Sequence, residues 1–124
     1  MDIKWFNESP KSATATLTPA HITFNKTATH YFEKAFQVMM GYDASGFIIV
    51  IKPLSKAAAL RGNISETSKY NITVKSSYSR VTNKAFMQTI QDVFNLELPE
   101  TGRKYEAFWD DKNEFLTVNL KEEL

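Results

Sequence analysis

Two stretches of the chain carry the same succession of local signals, and a fold must satisfy both at once. The first begins at Ile22-Thr23-Phe24-Asn25-Lys26-Thr27-Ala28, passes through an apolar-periodic segment, and ends at Gly41–Leu54. The second begins at Arg80-Val81-Thr82-Asn83-Lys84-Ala85-Phe86 and ends at Phe108–Leu120. Asn25-Lys26 recurs as Asn83-Lys84 at an offset of 58, and Tyr42-Asp43 recurs as Trp109-Asp110 at an offset of 67. The second copy therefore holds nine extra residues, placed around Leu98–Lys104.

Each copy reads as strand, helix, strand, turn, strand. Ala13–Leu17 and His21–Phe24 are β-branched-rich runs broken at Thr18-Pro19. Asn25 is a good N-cap, and Ala28, Tyr31, Phe32, Ala35 and Phe36 follow at helical spacing. Val38–Tyr42 extends, Asp43-Ala44-Ser45-Gly46 turns, and Phe47–Ile51 returns as an apolar strand stopped by Pro53. In the second copy Tyr70–Val74 and Arg80–Thr82 are short strands and Asn83 is the cap. Phe86, Met87, Ile90, Val93 and Phe94 form an apolar helix face. A looser connection over Leu96–Lys104 leads to Tyr105–Trp109, the turn Asp110–Asn113 and Phe115–Leu120. Between the copies, Lys56–Arg61 forms a helical turn ended by Gly62, and Ser65–Lys69 is a polar linker without periodicity.

One short copy cannot cover its own apolar strands, whereas two facing copies can. The expected fold class is mainly β with short helices (α+β), closed as a barrel or sandwich about a pseudo-two-fold axis. Residues 1–124 then form one domain of two repeats, about 13–54 and 70–120, joined by the polar linker at about 55–69. A chain of 124 residues with 43% hydrophobic content can bury such a core without staples.

The absence of cysteine excludes disulfides, thiol nucleophiles and cysteine-ligated metals. No window approaches the ~18 apolar residues of a membrane span. Met1–Pro10 lacks the apolar core of a signal peptide, so a cytoplasmic protein of bacterial type with no membrane partner is expected. Net charge is only +1, but it is unevenly spread. Met1–Gln91 holds 11 basic against 5 acidic residues, and Asp92–Leu124 holds 4 against 9. Within Ile51–Gln91, Lys52, Lys56, Arg61, Lys69, Lys75, Arg80 and Lys84 face Glu66 alone. Such a stretch is either a patch for an anionic surface or one half of a charge balance completed on folding.

The segment Ser79-Arg80-Val81-Thr82-Asn83-Lys84-Ala85, leading into a short amphipathic helix and then a hairpin with an acidic turn, resembles the AbrB/SpoVT swapped-hairpin family. MraZ and MazE-type antitoxins carry such domains. Their helix start reads Gly-Arg-Val-x-Ile-Pro, and Gly46–Pro53 and Asn113–Leu120 stand where the family places its final strands. The family usually builds its barrel from two chains that exchange hairpins. Two copies in one chain resemble the tandem arrangement of MraZ, and imply a swapped-hairpin barrel closed within the chain. The sequence departs from the motif where Ser79 replaces the glycine and Asn25 or Asn83 replaces the proline. The first copy has no matching arginine.

The resemblance implies a DNA-binding transcriptional regulator or antitoxin-like module in which Arg80, Lys75 and Lys84 contact double-stranded DNA. The second reading is a protein-interaction or structural domain of the same fold without DNA binding, as monomer or homodimer. No enzyme is expected, because no nucleophile elbow, phosphate loop or His-Glu-x-x-His motif occurs, and no cofactor motif is present. His30 and Glu33 are too few for a metal, and Asp110, Asp111 and Glu114 fit the needs of a turn better than those of a cation. His21 is read as structural.

Overall fold

Alternation of covered and half-exposed side chains sets the sheet. In the computed structural model, which describes residues 1–6 and 12–124, β1 (Thr14–Leu17) and β2 (His21–Phe24) each bury every second residue. The Thr18 hydroxyl accepts from the Ala20 and His21 amides at 3.2 and 3.1 Å and closes the turn between them. The remaining strands are β3 (Gln37–Asp43), β4 (Ile48–Leu54), β5 (Thr73–Val74), β6 (Ser79–Thr82), β7 (Arg103–Asp110) and β8 (Phe115–Glu123). All eight are antiparallel neighbours in the order β3-β4-β8-β7-β1-β2-β6-β5. The sheet curls into a half-barrel. Edge strand β3 is joined to the segment before β5 by one bridge, where Val38 and Tyr70 exchange two backbone hydrogen bonds of 2.9 Å.

Both expected caps form. Asn25 Oδ1 accepts from the Ala28 amide at 3.0 Å, and Asn83 Oδ1 accepts from Phe86 at 2.9 Å. The helices they start differ in length. Helix α1 (Lys26–Thr29) lasts four residues and tightens into a 3-10 turn, His30–Phe32. The helical face expected over Ala28–Phe36 is therefore cut short: Ala28 and Phe32 are buried, while Tyr31 and Phe36 are exposed. Thr27, Thr29 and His30 are poor helix formers, and one turn leaves little to offset that. Between the halves lies α2 (Lys56–Leu60), one short turn capped by Ser55. Helix α3 (Lys84–Phe94) is regular, buries Met87, Ile90 and Phe94, and ends at a left-handed Asn95. Val93, expected on the buried face, points to solvent.

The two hairpin turns are built alike. Asp43 Oδ1 accepts from the amides of Ser45 and Gly46 at 3.1 and 3.3 Å, and Asp110 Oδ1 accepts from Lys112 and Asn113 at 3.0 Å each. Side-chain donors add to them: Ser45 Oγ donates to Asp43 Oδ1 at 2.8 Å and Asn113 Nδ2 to Asp110 Oδ2 at 2.9 Å, and these lead the amides in holding both carboxylates below the ordinary aspartate range. Each turn ends in a residue with positive φ, Phe47 at 55° and Glu114 at 56°.

Three expectations are corrected. Pro53 does not stop β4, which runs on to Leu54. Pro53 pairs with Val38, whose amide serves Tyr70, so the proline nitrogen faces the side where β8 pairing has ended at Ile51. The strand expected over Tyr70–Val74 shrinks to Thr73–Val74 plus the Tyr70 bridge. The polar segment Ser65–Lys69 is structured, with a 3-10 turn over Glu66–Ser68, while the helical turn expected over Lys56–Arg61 forms as α2. Lys69 is buried there, donating to the Ala59 carbonyl at 2.6 Å and to Glu66. One hydrophobic cluster joins both halves, with Phe24 and Phe32 rings 4.8 Å apart near its centre.

Candidate nucleic-acid interface

Strand β6 buries Ser79 and Val81 and turns Arg80 and Thr82 outward. Its register extends that outward face across the sheet. Thr73 lies opposite Arg80, Arg80 opposite Thr23, Thr23 opposite Thr16, and Thr16 opposite Lys104. A single row across five strands thus reads Thr-Arg-Thr-Thr-Lys. At about 4.8 Å between strands, Arg80 and Lys104 stand roughly 14 Å apart.

Arg80 is held in place. Its Nε donates to Thr23 Oγ1 at 3.0 Å, and its guanidinium lies 5.4 Å from the centroid of the Tyr78 ring. One N–H and one face are engaged, which leaves the guanidinium's terminal donors in a fixed orientation. Lys75 sits at the β5–β6 turn, where its amide donates to the Tyr78 carbonyl at 2.8 Å. Lys84 opens α3 at the other end of β6. Both are exposed. Tyr78 to Lys84 covers six residue steps, so the three basic groups string over about 20 Å rather than forming a cluster.

The basic stretch does not assemble as a whole. Lys69 and Glu66 neutralise each other, and Lys52 Nζ donates to the Asn113 carbonyl at 2.7 Å, at the β7–β8 turn. Lys104 is the residue that sequence reasoning missed. It belongs to the acidic second half, and only the non-local β1–β7 register brings it beside Thr16. Acidic groups border the face as well: Glu106 lies opposite Thr14, and Arg103 pairs with Glu123 at 4.0 Å.

His21 lies opposite Thr82 on the same face. Burial lowers its pKa below 6.5, and the nearby Arg80 charge lowers it further. The folded chain therefore binds this proton less readily than the unfolded chain. The stability tied to neutral His21 is present above pH 6.5 and is lost as pH falls toward the lowered value. Thermal unfolding between pH 7 and pH 5 should show this decline, and His21→Gln should flatten it.

His30 Nδ1 and Glu33 Oε1 are 3.5 Å apart on the surface. Among the described residues no group of three or more His, Asp or Glu side chains is placed to hold a metal ion. No helix among them is long and apolar enough to cross a membrane. Comparisons with known protein families, curated proteins and solved structures find no match.

Proposed function

We propose that the chain is a non-enzymatic, cytoplasmic DNA-binding module on an AbrB-like scaffold, acting as a transcriptional regulator or antitoxin-like domain. The observation that carries this reading is the oriented Arg80, outward on the strand that leads into α3 and in one row with Lys104. Arginine in such a position offers bidentate contacts to guanine or phosphate, and the flanking threonines supply hydroxyls to the backbone.

The strand order supports the tandem swapped-hairpin scaffold. With the Val38–Tyr70 bridge counted as a link between β3 and the β5 segment, exchanging β1–β4 for β5–β8 returns the same ring of neighbours. The hairpin β7–β8 pairs with β1 of the first half, and β4 pairs with β8 across the halves. Such cross-pairing is what hairpins exchanged between two halves would require.

The test is binding to random double-stranded DNA across a salt series. Four phosphate contacts, from Lys75, Arg80, Lys84 and Lys104, give a log–log slope of about −3 to −4, and Arg80→Ala or Lys104→Ala each reduces it by about 1. Absence of binding at low salt overturns the proposal. A protein-interaction domain then takes precedence, favoured by Tyr42, Phe47 and Val93, which are exposed around Phe94.

A further inference from the structure

The amino-terminal segment Met1-Asp2-Ile3-Lys4-Trp5-Phe6 is rich in apolar side chains, yet Trp5 is 85% and Phe6 91% exposed. Such a segment is out of keeping with a solvated tail, which is ordinarily polar. A receiving surface lies within its reach. Tyr31, from the 3-10 turn, stacks on Trp109 of β7 with centroids 4.7 Å apart and planes 5° from parallel. Together with Pro53 and Leu54 they line a groove of about 270 Å³, with Lys34 and Glu114 also on its walls. That volume falls below the ~300–1,000 Å³ of sites for drug-sized ligands. It suits one or two side chains of a peptide.

We propose that this groove is the docking site of the chain's own Met1–Phe6 segment, with Trp5 seated against the Tyr31–Trp109 stack. Reach supports it. The Ser12 carbonyl accepts from Asn25 Nδ2 at 2.8 Å, at the start of α1, and Tyr31 follows six residues later. At 1.5–2.0 Å per residue those six cover about 9–12 Å. Seven residues from Ser12 back to Trp5 span up to about 23–25 Å, so the tether is long enough with slack. Charge supports it too: Asp2 and Lys4 alternate with the apolar residues, matching Lys34 and Glu114. The cleft beside Met39 and Phe115 offers only a cation, Lys52, and the larger cleft walled by Leu98 and Pro99 holds Glu97 and Arg103 but no aromatic ring to receive an indole. The inference is independent of DNA binding.

Trp5 and Trp109 are the chain's two tryptophans, so the full chain with Trp109→Phe, which retains an aromatic ring in the stack, makes Trp5 the sole indole reporter. Quenching of its fluorescence by acrylamide should be several-fold weaker than for free tryptophan amide, and unchanged on dilution. Adding Tyr31→Ser should raise it to the free level. Lys34→Glu, an exposed charge reversal that spares the core, should raise it partly, and Asp2→Lys in that background should restore the protection. Trp5 quenched like the free amide overturns the proposal. So does protection indifferent to both Tyr31→Ser and Lys34→Glu, or protection lost on dilution, which would place the segment on a second copy.

Discussion

Phe24→Ala should lower the free energy of unfolding by about 3–5 kcal/mol, read as an earlier midpoint in urea. Phe24 is fully buried and its ring packs on Phe32 across the β2–α1 junction, with planes 40° apart. Truncation removes both the transfer free energy of the ring and the partner surface of Phe32. The cavity cannot collapse easily, because β2 is pinned between β1 and β6. Against a total stability of about 5–15 kcal/mol for a domain, the loss is enough to populate unfolded chain in a marginal case. Phe36→Ala, at an exposed position, should change stability by no more than about 0.5 kcal/mol. An equal effect at both positions would show that the Phe24–Phe32 contact is not central to the core.

Gly102→Ala should cost about 2–4 kcal/mol, combining left-handed backbone strain with overpacking. Gly102 has φ of 85°, and an added Cβ would lie 2.6 Å from Thr16 Cγ2 and 3.3 Å from the Leu17 carbonyl oxygen. Backbone bounds one side of the clash, so relief must come from Thr16, which stands beside Lys104 in the row that reaches Arg80. The substitution should therefore lower the thermal midpoint and, if the proposed DNA binding is observed, weaken it in what remains folded. Gly62→Ala provides the control, since a Cβ added there would meet nothing within 4 Å and its φ is not positive. A Gly102→Ala chain as stable as that control would refute the strain at this position.

Local chemistry was legible in the sequence and non-local pairing was not. Asn25 and Asn83 announce their helices because an asparagine side chain can bond an amide three residues on, and it does so at both sites. Asp43 and Asp110 announce their turns for a similar reason. Pro53 misled because the cost of a missing amide depends on which side a neighbour lies, and that follows only from where β8 ends. Lys69 misled because its charge is balanced by Glu66, three residues away, inside a segment with no apolar period to mark it as structured. At the candidate interface, Arg80 was singled out only through the family resemblance, and its anchoring by Thr23 and Tyr78 was not legible. Nor was Lys104, because its place beside Thr16 depends on a ladder joining residues nearly ninety positions apart.

The meeting of Val38 and Tyr70 also sets an order in which the molecule lets go. Elsewhere the curled sheet is held by ladders, from the two-residue pairing of β5 with β6 to the seven-residue pairing of β3 with β4, whereas this seam consists of one bridge with two backbone hydrogen bonds and a side-chain bond from Gln37 to Asn71 at 3.3 Å. The wall should therefore open there early, parting β3 from the segment before β5, and faster amide exchange at Val38 and Tyr70 than along β4 and β8 would show it. A protein built this way behaves as a clasp: its inner surface can be reached by opening one fastening, without dismantling the two halves that share the core.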